Sequence, residues 1–254
     1  MLLNFVKLGQ GKPLVVLHGL FGSLDNWMSV GRKLSIHRTV YLVDLRNHGA
    51  SFHHQDFDCQ TMAGDLKSLL DHLDLTEIEL FGHSMGGKVA MFYAAEHSLD
   101  IGKMIIADIG PKQYPVHHDH IISSLQSIDP GSYSSRGEAD QQLSQYISEK
   151  GTRQFLLKNL KRNSDGQFEW KMNLPVISKN IHEVGQELDP NAVINTPTLF
   201  IRGGRSDYIV KNDYPDIHRQ FPSSEIITIP SAGHWVHAEA PQEFLQLAEN
   251  FLLQ

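Results

Sequence analysis

The sequence predicts a doubly wound α/β fold, a mostly parallel sheet with helices on both faces, interrupted once by an inserted helical segment. Three observations carry that expectation. Short apolar, β-branched runs recur at 14–17, 40–45, 78–81, 104–107, 198–201 and 225–229. Stretches of helical period lie between them, so successive strands are joined by crossovers, which makes neighbours parallel. Between 111 and 189 the alternation stops and then resumes.

In chain order, helices are expected at 24–34, 58–74, 85–97, 211–220 and 241–252, the last opening at Pro241, a residue favoured in a first helical turn. The stretch 111–189 is polar and helical in pattern, with Pro115, Pro130 and Pro175, and is too long for a structureless loop. It is expected to be a helical lid inserted after the strand at 104–107. Residues 1–110 and 190–254 would then form one core. No repeat or low-complexity tract is evident.

The 254-residue chain is 41% hydrophobic, enough for a sizeable core. Its 29 acidic and 22 basic side chains give a formal charge of -7, which opposes binding to a phosphate backbone. Cys59 is the only cysteine, so neither an intrachain disulfide nor a cysteine metal cluster can form. The first residues lack a basic region followed by a long apolar stretch, and no run suits a membrane span. The expectation is a cytoplasmic protein, a monomer or small homo-oligomer, acting on a small molecule without nucleic acid.

Chemistry is concentrated at Gly82-His83-Ser84-Met85-Gly86, a G-x-S-x-G string between a strand-like and a helix-like run. A chain of this length shows such a string by chance about once in ten, so its setting carries the weight. Between a strand and a helix it is a nucleophile elbow, whose glycines remove side chains that would block a sharp turn around the serine. Ser84 then needs a base, an acid and two oxyanion donors. His234, in Ala232-Gly233-His234-Trp235, follows the last strand and stands at the same carboxyl edge as Ser84. The Met85 amide follows the nucleophile, and the Leu20 amide lies in the small-residue turn His18-Gly19-Leu20-Phe21-Gly22. Two carboxylates compete as the acid: Asp108, after the strand at 104–107, and Asp207, after the strand at 198–201. Both lie at the carboxyl edge, and either could instead serve a loop by bonding local amides.

Through these motifs the chain resembles the α/β-hydrolase superfamily, and within it the branch of the bacterial esterase YbfF and its mitochondrial abhydrolase relatives. The likeness rests on the segments 18–27, Asp44-Leu45-Arg46-Asn47-His48-Gly49-Ala50-Ser51, Gly82-His83-Ser84-Met85-Gly86-Gly87-Lys88, Asp108-Ile109-Gly110-Pro111 and 232–239. It implies serine, histidine and aspartate at the site, no cofactor, and a small helical lid after what the family counts as its sixth strand. It also favours Asp108 over Asp207 as the acid.

The expected activity is hydrolysis of carboxylic esters or acyl thioesters, acyl-CoA among them, through an acyl-enzyme on Ser84. Alternatives are hydrolysis of a carbon–carbon bond by the same triad, or a non-catalytic binding protein on this scaffold. Phe21, Tyr114 and Trp235 flank the proposed catalytic positions and are candidates for substrate contact. The basic stretch 151–162 reads as a solvated lid face, with thioester phosphates or a membrane surface as other uses. Phe168 and Trp170 are expected to pin the lid to the core. His117-His118-Asp119-His120 offers ligand atoms, but adjacent residues cannot all converge on one ion, so no metal is expected.

Overall fold

The structure is a computed structural model describing residues 1–115 and 118–254. Its main sheet contains β1 (Phe5–Leu8), β2 (Lys12–Leu17), β3 (Arg38–Val43), β4 (Ile78–His83), β5 (Ile101–Ala107), β8 (Thr198–Gly203) and β9 (Ser224–Ile229). They are ordered β1-β3-β2-β4-β5-β8-β9, all parallel except β1, which runs antiparallel to β3. A separate antiparallel hairpin joins β6 (Leu160–Arg162) to β7 (Phe168–Trp170).

The apolar runs are continuous because the inner strands are covered on both sides. All six residues of β4 are buried. Successive side chains enter opposite layers, as the twofold period of a strand requires. Val15, Leu17, Leu80, Met104, Ile106 and Phe200 pack into one cluster; Leu14, Val16, Phe81, Ile105, Leu199 and Ile201 pack into the other.

The first layer is closed by α2 (Cys59–His72), α3 (Met85–His97) and α8 (Tyr214–Gln220); the second by α1 (Met28–Leu34), α9 (Val236–Glu239) and α10 (Pro241–Leu253). Met62, Leu66, Leu69 and Leu70 form the buried stripe of α2, whose N-terminus is capped by Asp58 accepting from the Thr61 amide at 2.7 Å. Between β5 and β8 lie α4 (Asp119–Gln126), α5 (Arg136–Leu143), α6 (Lys150–Leu157), the hairpin and α7 (Leu174–Lys179). Leu125, Leu143, Leu156 and Ile177 carry the first cluster into this segment.

Three strand features differ from expectation, the first being the hairpin of β6 and β7, which lies inside the stretch expected to be helical. β1 is a four-residue edge strand interrupted by Lys7, so it has no long apolar signature. The run expected to continue to Leu45 ends at Val43 because the next amides leave the ladder. Asp44 N–H donates to the Asn4 carbonyl at 2.9 Å, and Leu45 N–H donates to His18 Nε2 at 3.0 Å.

Candidate active site

Ser84 sits between β4 and α3 with φ 52° and ψ -121°, a conformation L-residues rarely adopt. A Cβ at position 82 would lie 2.3 Å from the Gly86 carbonyl oxygen, and one at 86 would lie 2.5 Å from the Leu17 carbonyl oxygen. Both contacts are with backbone, so glycine at 82 lets β4 approach α3, and glycine at 86 lets α3 approach the end of β2. We predict that Gly86→Ala loses both activity and stability, the latter by about 1–3 kcal/mol, measured by melting and ester turnover.

The loop after β9 brings His234 to this turn. Its Nε2 is 2.9 Å from Ser84 Oγ, and its Nδ1 is 2.8 Å from Asp108 Oδ2. A carboxylate only accepts, so Nδ1 carries the proton and Nε2 is free to accept from the hydroxyl. Asp108 directly follows β5, with φ 49° and no exposed surface. Its Oδ1 accepts from the Gly203 amide at 2.8 Å, and its Oδ2 also accepts from the Ser206 hydroxyl. Asp207 is exposed, and His234 Nδ1 is bonded to Asp108 instead. Tyr208 stacks on the His234 ring at 4.0 Å and 18°.

Two backbone amides lie beside Ser84, those of Leu20 and Met85, and the hydrogen bonds of their own peptide planes explain why they stay open. The Gly19 carbonyl accepts from Gly22 N–H and His18 Nδ1–H, each at 2.9 Å. Since a trans peptide opposes its C=O and N–H, this aims Leu20 N–H the other way. The Ser84 carbonyl accepts from the Gly87 and Lys88 amides at 2.8 and 3.0 Å, leaving Met85 N–H at the open end of α3. Among the described residues neither Leu20 N–H nor Met85 N–H has an acceptor. Asn159 reaches over from the segment before β6 and donates to the Phe21 carbonyl at 2.6 Å, holding the other side of this turn. Replacing His18 by leucine removes one of the two hydrogen bonds that hold the Gly19 peptide. We predict a fall in kcat of about tenfold to 10² with little change in KM, checked by steady-state kinetics.

The space above Ser84 has two chambers. The larger, about 240 Å³, touches Phe21, His83, Phe155, His234 and Trp235. The smaller, about 30 Å³, touches Met85, Ile109, Tyr114 and Val184. Phe21, Tyr114 and Trp235 therefore all border these chambers. Tyr114 also ties two loops together, its hydroxyl accepting from Gly110 N–H at 2.8 Å and donating to the Tyr208 carbonyl at 2.6 Å. Lys88 is wholly buried below it, donating to the Pro111 and Lys112 carbonyls at 3.1 and 2.5 Å, and burial lowers its pKa to about 7.

Elsewhere, burial pushes the Cys59 thiol up to about 12, so it does not compete as a nucleophile. His120 donates to the Tyr146 carbonyl at 2.8 Å, His117 lies outside the described residues, and no three ligating side chains converge among the described residues. Arg153 is not part of a solvated face: it is buried, bonded to Asp140 at 2.8 Å and to the Ile147 and Ser148 carbonyls. Phe168 lies under the Arg136 and Arg162 guanidiniums, 5.4 and 4.3 Å from its ring centre.

Four buried histidines surround the site. Burial lowers His18 to about 4 and His48 and His237 to about 3, and it holds His83 well below its usual 6.5. Below pH 6.5 the unfolded chain takes up protons that these folded sites refuse, so stability falls as pH drops toward the folded values. Each site contributes up to about 1.4 kcal/mol per pH unit in that window. We predict a clearly lower Tm at pH 5 than at pH 7.5; equal midpoints would contradict neutral, buried imidazoles.

Comparisons with known proteins identify the family. The family described as alpha/beta hydrolase fold matches residues 12–241. The sn-1-specific diacylglycerol lipase ABHD11 of Danio rerio is 38% identical over 96% of this chain and 79% of its own length. Esterase YbfF of Escherichia coli strain K12 is 38% identical over 96% of this chain and 94% of its own. A solved marine microorganism esterase superposes with a TM-score of 0.96 at 42% identity, covering 98% of this chain and 99% of that one. Among the described residues no helix is long and apolar enough to cross a membrane. The parallel sheet, the strained serine turn and these matches together lead to one statement: the chain belongs to the alpha/beta hydrolase fold family and is a hydrolase.

Proposed function

We propose that the chain is a serine carboxylesterase that also accepts acyl thioesters, working through an acyl-enzyme on Ser84. The observation that carries this is the unbroken chain from Ser84 Oγ through His234 to the buried Asp108 carboxylate. His234 Nε2 takes the serine proton as Oγ attacks the acyl carbonyl. Asp108 keeps the imidazole in the required tautomer and stabilises it when charged. The Leu20 and Met85 amides hold the oxyanion, each donor contributing roughly 3 kcal/mol in the transition state. His234 then protonates the leaving atom, and water, deprotonated by the same imidazole, releases the acid.

Residues 111–189 act as a lid on a core made of 1–110 and 190–254. Phe155, Leu156 and Ile121 from this segment border the larger chamber, and Ile181 and Val184 the smaller. Closure keeps bulk water from the oxyanion, where a low dielectric strengthens the two amides. Hydrolysis of p-nitrophenyl butyrate and of a butyryl thioester by the purified protein tests the reading. Turnover of the ester is expected, and a folded protein inert toward every activated acyl compound would defeat it.

A further inference from the structure

The larger chamber contains a polar group with half of its hydrogen bonding unused. His83 is 4% exposed, and its Nε2 is 2.9 Å from the His234 carbonyl oxygen. A carbonyl only accepts, so the proton is on Nε2 and Nδ1 presents a lone pair. Burial, with His234 and His237 close by, holds the ring well below its usual pKa and so keeps it neutral. Among the described residues nothing is hydrogen-bonded to Nδ1, yet this atom is not among the enclosed polar atoms cut off from solvent.

Gly19 is what leaves it open. A Cβ at position 19 would stand 2.9 Å from His83 Nδ1 and 3.1 Å from Ser84 Cβ. His83 Nδ1 and the Ser84 side chain are thus close enough for one methyl group to touch both. An alanine at 19 would crowd and cover Nδ1, with a small shift of the ring or the turn.

The proton path fixes what this acceptor meets. The leaving atom receives its proton from His234 Nε2, so the leaving group must lie against His234. The larger chamber is bordered by His234, Trp235 and His83, whereas His83 and His234 do not border the smaller one. Resting on the esterase reading, we infer that the leaving-group chamber recognises a hydrogen-bond donor carried about two carbons from the scissile oxygen or sulfur, with His83 Nδ1 as its acceptor. The closeness of Nδ1 to Ser84 sets that short tether. Two kinds of compound carry such a donor: partial esters of diols and polyols, through a neighbouring hydroxyl, and thioesters of N-acylcysteamine type, through the amide N–H.

Matched pairs test the inference. In the ester arm, kcat/KM is compared for 2-hydroxyethyl butyrate and propyl butyrate; in the thioester arm, for S-butyryl-N-acetylcysteamine and S-pentyl thiobutyrate. The wild type is expected to favour the donor-bearing member about three- to tenfold in at least one arm, and the arm identifies the donor. His83→Phe should bring that ratio to near one, read within the variant so that any general loss of rate cancels. Gly19→Ala, which covers Nδ1 without changing the histidine, should lower the same ratio. Wild-type ratios near one in both arms, or an undiminished preference in His83→Phe, overturn the inference. Continued turnover of p-nitrophenyl butyrate would then leave the esterase reading intact. Failure of every ester together with an unlabelled Ser84 after fluorophosphonate treatment would defeat that reading and this inference with it.

Discussion

Ser84→Ala is expected to lower kcat for a p-nitrophenyl ester by about 10⁴–10⁶-fold while leaving Tm nearly unchanged. Among the described residues the hydroxyl makes no hydrogen bond other than that to His234. Alanine keeps the Cβ, so the strain at φ 52° is the same for both residues. His234→Ala should cost a comparable factor. The double variant should be little worse than either single one, because the two groups act as one unit and their effects do not add. An additive double loss, or a Ser84→Ala protein with more than a few per cent of wild-type rate, would mean that another group attacks the carbonyl.

Asp108→Asn is expected to reduce kcat by about 10⁴, whereas Asp207→Asn should stay within about twofold of wild type. The reason lies in the donors around Asp108. Its oxygens accept from Gly203 N–H, the Ser206 hydroxyl and His234 Nδ1–H. An asparagine NH₂ there must either face a donor or turn the histidine to its other tautomer, with the proton on Nε2 opposite the serine. Asp207 is exposed on the loop after β8. Steady-state kinetics of both variants on one activated ester separate the two carboxylates.

Ser84 is legible in the sequence because the elbow imposes steric demands that show as glycines at 82 and 86. His234 is legible because a loop after the last strand of a parallel sheet must emerge at the carboxyl edge. The choice between Asp108 and Asp207 is not legible from position alone, since both follow strands at that edge. It depends on side-chain direction, set here by the left-handed backbone at Asp108 and by the Gly203 amide. Asn159, Ser206 and Tyr208 carry no local signal. Asn159 meets the Phe21 carbonyl across 138 residues of chain, and only the folded segment between β5 and β8 brings them together. The edge strand β1 and the hairpin of β6 and β7 escape sequence reading for another reason: they are three or four residues long and carry charged side chains, so periodicity has little to act on.

In the proposed mechanism the Ser84 hydroxyl is activated by His234 and Asp108. Its most direct test is peptide mapping by mass spectrometry after fluorophosphonate treatment of the native protein. The predicted result is one covalent adduct, on Ser84, with labelling slowed by orders of magnitude in His234→Ala. An adduct on a different residue, or no adduct on the folded protein, would contradict it.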